Sequence, residues 1–245
     1  RRLREWGVPV SCVAGTSIGA IIGAALAAGT AEQMEAYALG LDWKQAAKLF
    51  LEARLPNGGF LTGRNIMREL RRLIPCADFH ELGLPFACVA TDIRTGRPVV
   101  LDRGDLFGAI RASMSIPGVF TPVPAGDAAL VDGGLVDALP VTACRHLGAD
   151  IVIGVDINLK AGHPAAQAAP AAAKDLGLFD VMFRTFRLLE NETTRRGLES
   201  DPPDILIQPV VGHIGALDFL HGHDAYAAGL AAMDEVRHLF PEIRQ

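Results

Sequence analysis

A single α/β domain with a mostly parallel central sheet is the fold class this sequence predicts, and three observations predict it. Short apolar runs alternate with helix-like segments along the 245 residues, which is the order of a parallel sheet with covering helices. Half of the residues are hydrophobic but only 6% are aromatic. The core is therefore assembled from Ala, Leu, Val and Gly, which suits closely packed layers. Third, Gly15-Thr16-Ser17-Ile18-Gly19 stands between an apolar run, Val10 to Val13, and an apolar helix-like run, Ile18 to Ala28. A G-x-S-x-G pattern in that setting suits a sharp strand-to-helix turn with the serine at its apex. No internal repeat or linker divides residues 1–245, which read as one domain.

Taken in order, Arg1 to Trp6 reads as the end of a helix. Ile18 to Ala28 is apolar on nearly all sides yet short, and is expected to be a central helix buried in the core. Thr30 with Gln33 three residues on is a capping-box pattern that starts a second helix near Ala31. Asp42 to Ala53 reads as a third helix and Pro56-Asn57-Gly58-Gly59 as a loop. Gly63 to Ile74 is helical with Ile66, Leu70 and Leu73 on one face. These helices form a long insert that could cap a site.

Pro85 to Ala90 is a buried-strand run ending at Thr91-Asp92, and Thr95-Gly96-Arg97 turns it into a hairpin with Pro98 to Leu101. Asp105 to Met114 is a helix that Ser115-Ile116-Pro117-Gly118 breaks, and Ala128 to Val131 is a strand running into Asp132-Gly133-Gly134. Pro140 in a first turn fits a helix Val141 to Leu147, and Ile151 to Val155 is an apolar strand ending at Asp156. Asn158 to Lys174, rich in Ala, Pro, Gly and Gln, reads as a loop. Leu178 to Leu198 is a long helix with Leu178, Met182, Phe186 and Leu189 as an apolar stripe. Ile205 to Ile207 is a last strand and Phe219 to Phe240 a final helix.

The net charge is −5 and no basic cluster exceeds Arg71-Arg72 or Arg195-Arg196, which excludes nucleic acid as a partner class. Cys12, Cys76, Cys88 and Cys144 are widely spaced, without a C-x-x-C, and are expected to be buried free thiols of a reducing compartment. No run reaches the ~18 apolar residues of a membrane span. The chain begins at Arg1 rather than Met, so further sequence upstream is expected and nothing can be said of a leader.

In open α/β sheets ligands gather at the carboxyl ends of strands. Four such ends carry candidate groups: Ser17, Asp92, Asp132 and Asp156. Ser17 at a helix N-terminus has backbone N–H groups and the positive end of the helix dipole aimed at its oxygen. Ile18 would supply its N–H to an oxyanion, and Gly15 and Gly19 would relieve crowding at the turn. A serine hydroxyl needs a base. None of the seven histidines (His80, His146, His163, His213, His221, His223, His238) directly follows an apolar strand run, and none pairs with Asp, Glu or Cys at a metal-ligand spacing. No metal site is therefore expected from these spacings. A carboxylate base remains, and Asp132 is best placed because Gly133-Gly134 let the chain turn beside it. Its ordinary pKa of about 4 is low for a base, but burial beside an uncharged serine raises it. The same residues also fit a glycine-rich turn with a surface serine, and aspartates that only cap turns or end strands.

Gly15-Thr16-Ser17-Ile18-Gly19 combined with Asp132-Gly133-Gly134 resembles the patatin-like phospholipases. Further matches come in order: Ala90-Thr91-Asp92 with Thr95-Gly96, then Arg111-Ala112-Ser113-Met114-Ser115-Ile116-Pro117-Gly118-Val119-Phe120, then Pro140-Val141 and Gly148-Ala149-Asp150. The resemblance runs from about Val8 to Asp156 and more loosely beyond, and its length is most similar to the bacterial stand-alone members. It implies a three-layer α/β/α sandwich and a lipid acyl hydrolase without a cofactor, with Ser17 as nucleophile, Asp132 as base, and an acyl-serine intermediate. It implies phospholipid, lysophospholipid or related acyl-ester substrates, a transient contact with a membrane surface, and a cytoplasmic or membrane-peripheral location. The family's glycine-rich oxyanion loop is not in this sequence and is expected upstream of Arg1. Two alternatives stand beside this: an α/β-hydrolase triad of Ser17, Asp132 or Asp156, and His213 or His221, and a lipid-binding homologue with an impaired site.

Overall fold

A computed structural model of the chain describes residues 1–50, 61–158, 177–215 and 219–244. The expected loop at Pro56–Gly59, the end of the helix expected to reach Ala53, and the loop expected over 159–174 lie outside the described residues.

The sheet is built around β2 (Phe86–Asp92), whose seven residues are all buried. A strand covered on both faces reads as a continuous apolar run, as Phe-Ala-Cys-Val-Ala does. Alternate side chains of β2 reach opposite layers. Phe86 and Cys88 join a cluster with Ala20 and Ala24 of α2 (Ile18–Ala27) and Leu106 and Ile110 of α6 (Leu106–Ser113). Ala87 and Val89 face the other way, against Ala143 of α7 (Val141–His146). Helices thus cover both faces of the sheet, which makes the expected three-layer α/β/α sandwich.

The strand pairing is mixed. β1 (Val13–Thr16) runs parallel to β2, while β3 (Arg97–Leu101) and β5 (Ala128–Asp132) run antiparallel to it, and β4 (Val123–Ala125) is antiparallel to β5. β6 (Ile153–Val155) and β7 (Ile205–Ile207) form a separate parallel pair. The mostly parallel sheet expected from alternation is found where helices connect strands. It gives way at β2–β3 and β4–β5, where short turns connect the strands and can only reverse the chain, and β5, reversed by the second turn, then lies antiparallel to β2.

One register decides where the site lies. Val13 to Thr16 of β1 pair with Phe86 to Val89, whereas Asp132 to Leu130 of β5 pair with Ala90 to Asp92. β3 pairs with Cys88 to Asp92 throughout, so it occupies the opposite edge. β1 and β5 therefore share one edge of β2 and run toward each other, meeting between Val89 and Ala90.

The helical insert comprises α3 (Ala31–Leu39), α4 (Trp43–Phe50) and α5 (Arg64–Leu73). It packs Met34, Leu49, Ile66 and Leu70 into the same cluster as α2 and α6, with Leu73 at its margin. The capping box expected at Thr30 does not form: its hydroxyl donates back to the Ala25 carbonyl instead. A reciprocal box does form at Asp42, which accepts from the Gln45 N–H at 2.7 Å while the Gln45 side chain accepts from the Asp42 N–H.

A smaller cluster joins Trp6 and Val8, which follow α1 (Arg2–Glu5), to Ile205 and Ile207 of β7 and Ala232 of α9 (Gly222–Glu235). The final helix expected over Phe219–Phe240 is thus a 3₁₀ turn, α9 and a second 3₁₀ stretch.

Two expected burials differ. Ala20, Ala24 and Ala27 of α2 are buried, but Ile18, Ile22 and Leu26, on the opposite face at four-residue spacing, are exposed by 38 to 47%. Small residues let α2 lie close on the sheet, so its larger side chains point outward. On α8 (Leu178–Ser200), Phe186 is buried while Leu178 and Leu189 are exposed. No helix among the described residues is long and apolar enough to cross a membrane.

Candidate active site

Ser17 follows directly on the last residue of β1, and Asp132 is the last residue of β5. Because those strands meet on one edge of β2, residues far apart in sequence become neighbours. The Ser17 hydroxyl donates to Asp132 Oδ2 at 2.6 Å.

The serine sits on a strained turn. Its φ of 56° with ψ of −120° makes it the one non-glycine residue with positive φ among the described residues. α2 begins at the next residue, so its first turn folds back on the end of β1. A Cβ on Gly15 would collide with the Gly19 carbonyl, so only glycine fits there. Gly19 differs from expectation: a Cβ there would meet open space, so crowding does not explain it. The Ser17 N–H donates to Ser113 Oγ at 3.0 Å. The N–H groups of Ile18 and Gly19 donate to nothing among the described residues and stand at the N-terminus of α2, as orphan first-turn donors do.

Asp132 is completely buried. Its Oδ2 accepts from Ser17 and its Oδ1 from the Gly134 N–H at 2.9 Å. Burial, which penalises the charged carboxylate, raises its pKa to about 7 against the opposing pull of those two hydrogen bonds. A group titrating there can hold and release a proton at neutral pH. Its backbone is pinned by the Thr91 hydroxyl, which donates to the Asp132 carbonyl at 2.8 Å, and by its own N–H donating to the Ser115 carbonyl. A Cβ on Gly133 would run into the Val89 carbonyl and Thr16 Cγ2, so glycine is again required. Gly134 closes the turn and lies beneath the Glu190 carboxyl.

The geometry can be compared with known proteins. The patatin-like phospholipase profile matches residues 1–145, more than half of the chain. The chain belongs to the patatin-like phospholipase family. It is 34% identical over 168 residues to an NTE family protein of Mycobacterium tuberculosis, covering 69% of this chain and 46% of that one. It is 32% identical over 166 residues to a lysophospholipase of Aspergillus fumigatus, covering 64% of this chain and 11% of that one. The chain thus spans about half the length of the mycobacterial relative. Among solved structures, VipD from Legionella pneumophila overlays loosely, with a TM-score of 0.48, 13% identity, and coverage of 95% of this chain and 63% of its own.

The other sequence candidates of this patatin-like chain lie elsewhere. Asp92 caps the β2–β3 turn, accepting from the Arg94 N–H and the Thr95 hydroxyl. Asp156 accepts from the Asn158 N–H and the Gln208 side chain. The described histidines, His80, His146, His213, His221, His223 and His238, are all exposed, and none bonds to Ser17 or Asp132. Among the described residues no three His, Cys, Asp or Glu side chains gather as a metal site would need. All four cysteines are free; Cys76 and Cys88 are buried, Cys12 and Cys144 half-buried.

Two residues at the site carry no motif signature of a role in the sequence. Ser113 lies within Arg111 to Phe120, the stretch that resembles the family. Glu190, pushed up to about 8 by burial and by the nearby Asp132 charge, faces the same turn. Its signal was legible: Met182, Phe186 and Glu190 continue one four-residue spacing, so a carboxyl stands where the apolar stripe should continue.

Proposed function

We propose that this chain is a serine acyl hydrolase acting on carboxylic esters of lipids through Ser17 and Asp132. The observation that carries the reading is the 2.6 Å hydrogen bond from a strained, glycine-flanked serine to a buried carboxylate with no imidazole between them. Asp132 takes the Ser17 proton as Oγ attacks the ester carbonyl carbon. The carbonyl oxygen becomes an oxyanion that the Ile18 N–H, which donates to nothing among the described residues, receives. The tetrahedral intermediate collapses, the alcohol leaves with the proton from Asp132, and an acyl-Ser17 remains. Asp132 then takes a proton from water as that water attacks the acyl carbon, and collapse releases the fatty acid and restores the serine.

Family membership and the lysophospholipase relative support phospholipids and lysophospholipids as the substrate class. Such substrates bring the enzyme into transient contact with a membrane surface, and residues 1–245 form one domain.

A fluorophosphonate probe tests the nucleophile. Mass spectrometry is expected to find the label on Ser17 in the full chain and none in the Ser17→Ala variant, which also loses acyl release from a lysophospholipid. A folded wild-type chain left unlabelled, or a Ser17→Ala variant that releases acyl product at the wild-type rate, would refute the reading.

A further inference from the structure

We infer that Ser113 is a positioning residue that locks the Ser17 backbone in its strained, attack-ready geometry; the inference rests on Ser17 being the nucleophile. Ser113 is the last residue of α6 and is completely buried. Its single hydroxyl makes two hydrogen bonds, accepting from the Ser17 N–H at 3.0 Å and donating to the Val89 carbonyl at 2.7 Å. Val89 is the β2 residue opposite Thr16 and the last before Asp132's partner, Ala90. The hydroxyl therefore bridges the end of β1 to the point on β2 where β1 and β5 meet.

The bridge matters because nothing else among the described residues takes that N–H. Ser17 lies past the last ladder pair of β1 and before the first turn of α2, so neither strand nor helix supplies an acceptor. A backbone N–H left unpaired there favours a different backbone dihedral, and the positive φ of Ser17 already favours relaxation. Relaxation would swing Oγ off Asp132 Oδ2 and turn the Ile18 N–H, on the next peptide, away from the oxyanion position. α6 is itself held in place at this end: the Arg111 guanidinium donates to the Thr62 and Thr121 carbonyls, and the Ser115 hydroxyl donates to the Arg111 carbonyl at 2.6 Å. The latch is thus mounted on a fixed post.

The test is the rate of fluorophosphonate labelling of the full chain, measured per folded molecule. Ser113→Ala is expected to lower that rate by ten- to a hundredfold, because a displacement of about 1 Å at reacting atoms costs on the order of a hundredfold. Its kcat for an ester substrate should fall likewise with KM little changed, since Ser113 touches no substrate. Ser113→Thr, which restores the hydroxyl, is expected to recover most of the rate. Ser113→Cys, a weaker acceptor of similar size, keeps the test open if the alanine variant does not fold, and should label slowly. Ile110→Val, a buried change on the same helix, is expected to label as wild type at a matched loss of stability. Ser113→Ala or Ser113→Cys labelling at the wild-type rate overturns the inference, as does Ile110→Val slowing equally. A labelled wild type with such variants fails this inference alone. A wild type that takes no label fails the nucleophile reading and this one with it.

Discussion

Asp132→Asn should gain stability relative to the wild type as pH rises, and the size of the gain follows from the burial of one carboxylate. In the folded chain Asp132 is completely buried and titrates at about 7, against 3.8 for a free carboxyl. A raised folded pKa means that the group favours folding below its unfolded value and loses that contribution as pH climbs through the folded value. At about 1.4 kcal/mol per pH unit, the wild type should lose about 3 kcal/mol between pH 5 and pH 8 that the asparagine variant keeps. Asparagine retains the shape and one acceptor oxygen, so its packing and hydrogen-bond cost is a constant offset. Glu190 extends the window slightly: its own raised pKa of about 8 depends partly on the Asp132 charge, and the variant removes that charge. Urea unfolding of both proteins at half-unit pH intervals measures the difference curve. It should slope toward the variant from about pH 4 and flatten above about pH 8. Parallel stability curves would show that Asp132 ionises as easily folded as unfolded, and the account of its basicity would fail.

The pH dependence of kcat/KM for a soluble ester should show an acid limb with a midpoint near 7, because only ionised Asp132 can accept the Ser17 proton; a midpoint near 4 contradicts this. Ser17→Gly should be more stable than Ser17→Ala by about 1 kcal/mol in thermal unfolding, since the two differ by a Cβ at φ 56°, and equal midpoints refute the strain argument. Gly133→Ala should cost about 3 kcal/mol because its methyl meets the Val89 backbone, while Gly134→Ala costs less because the Glu190 carboxyl above it can swing aside; a reversed order in denaturant midpoints contradicts the packing. Alanine at His213 and at His221 should leave ester hydrolysis within twofold of wild type, whereas a loss of a hundredfold or more would point to a triad.

The candidate pair could be read from sequence because each member carries its own local demand. Gly15 before Ser17 and Gly133 after Asp132 are positions where a Cβ collides with backbone, and such positions surface as fixed glycines beside a polar residue. The meeting of the two could not be read that way, since it depends on β1 and β5 sharing one edge of β2, a matter of register between strands. The parallel-sheet expectation fails at the hairpins, where each tight turn reverses the chain. The outward face of α2 was misread because an apolar helix gives no periodic contrast: alanine and isoleucine both count as hydrophobic, yet only the small ones fit against the sheet. Ser113 was illegible because its two partners are both backbone groups, and backbone leaves no pattern in a sequence.

A directly paired carboxylate also explains why this site is built where it is. An imidazole titrates near neutrality in water, so a histidine base needs little from its surroundings. An aspartate needs burial to reach the same range, and a strand end walled on all sides supplies it. Asp132 has that position: β2 lies beside it, Ser113 ends α6 with Ser115 two residues on, and Glu190 of α8 lies over the following turn. Those contacts exclude the water that would hold its pKa low, at the cost in stability worked out above. Glu190 is uncharged over most of the same range, so it adds to the wall without adding a second negative charge. A charge change at Glu190, to lysine for instance, should therefore lower the acid limb of the rate profile by stabilising ionised Asp132. An acid limb that stays in place would mean that a charge at position 190 does not reach Asp132.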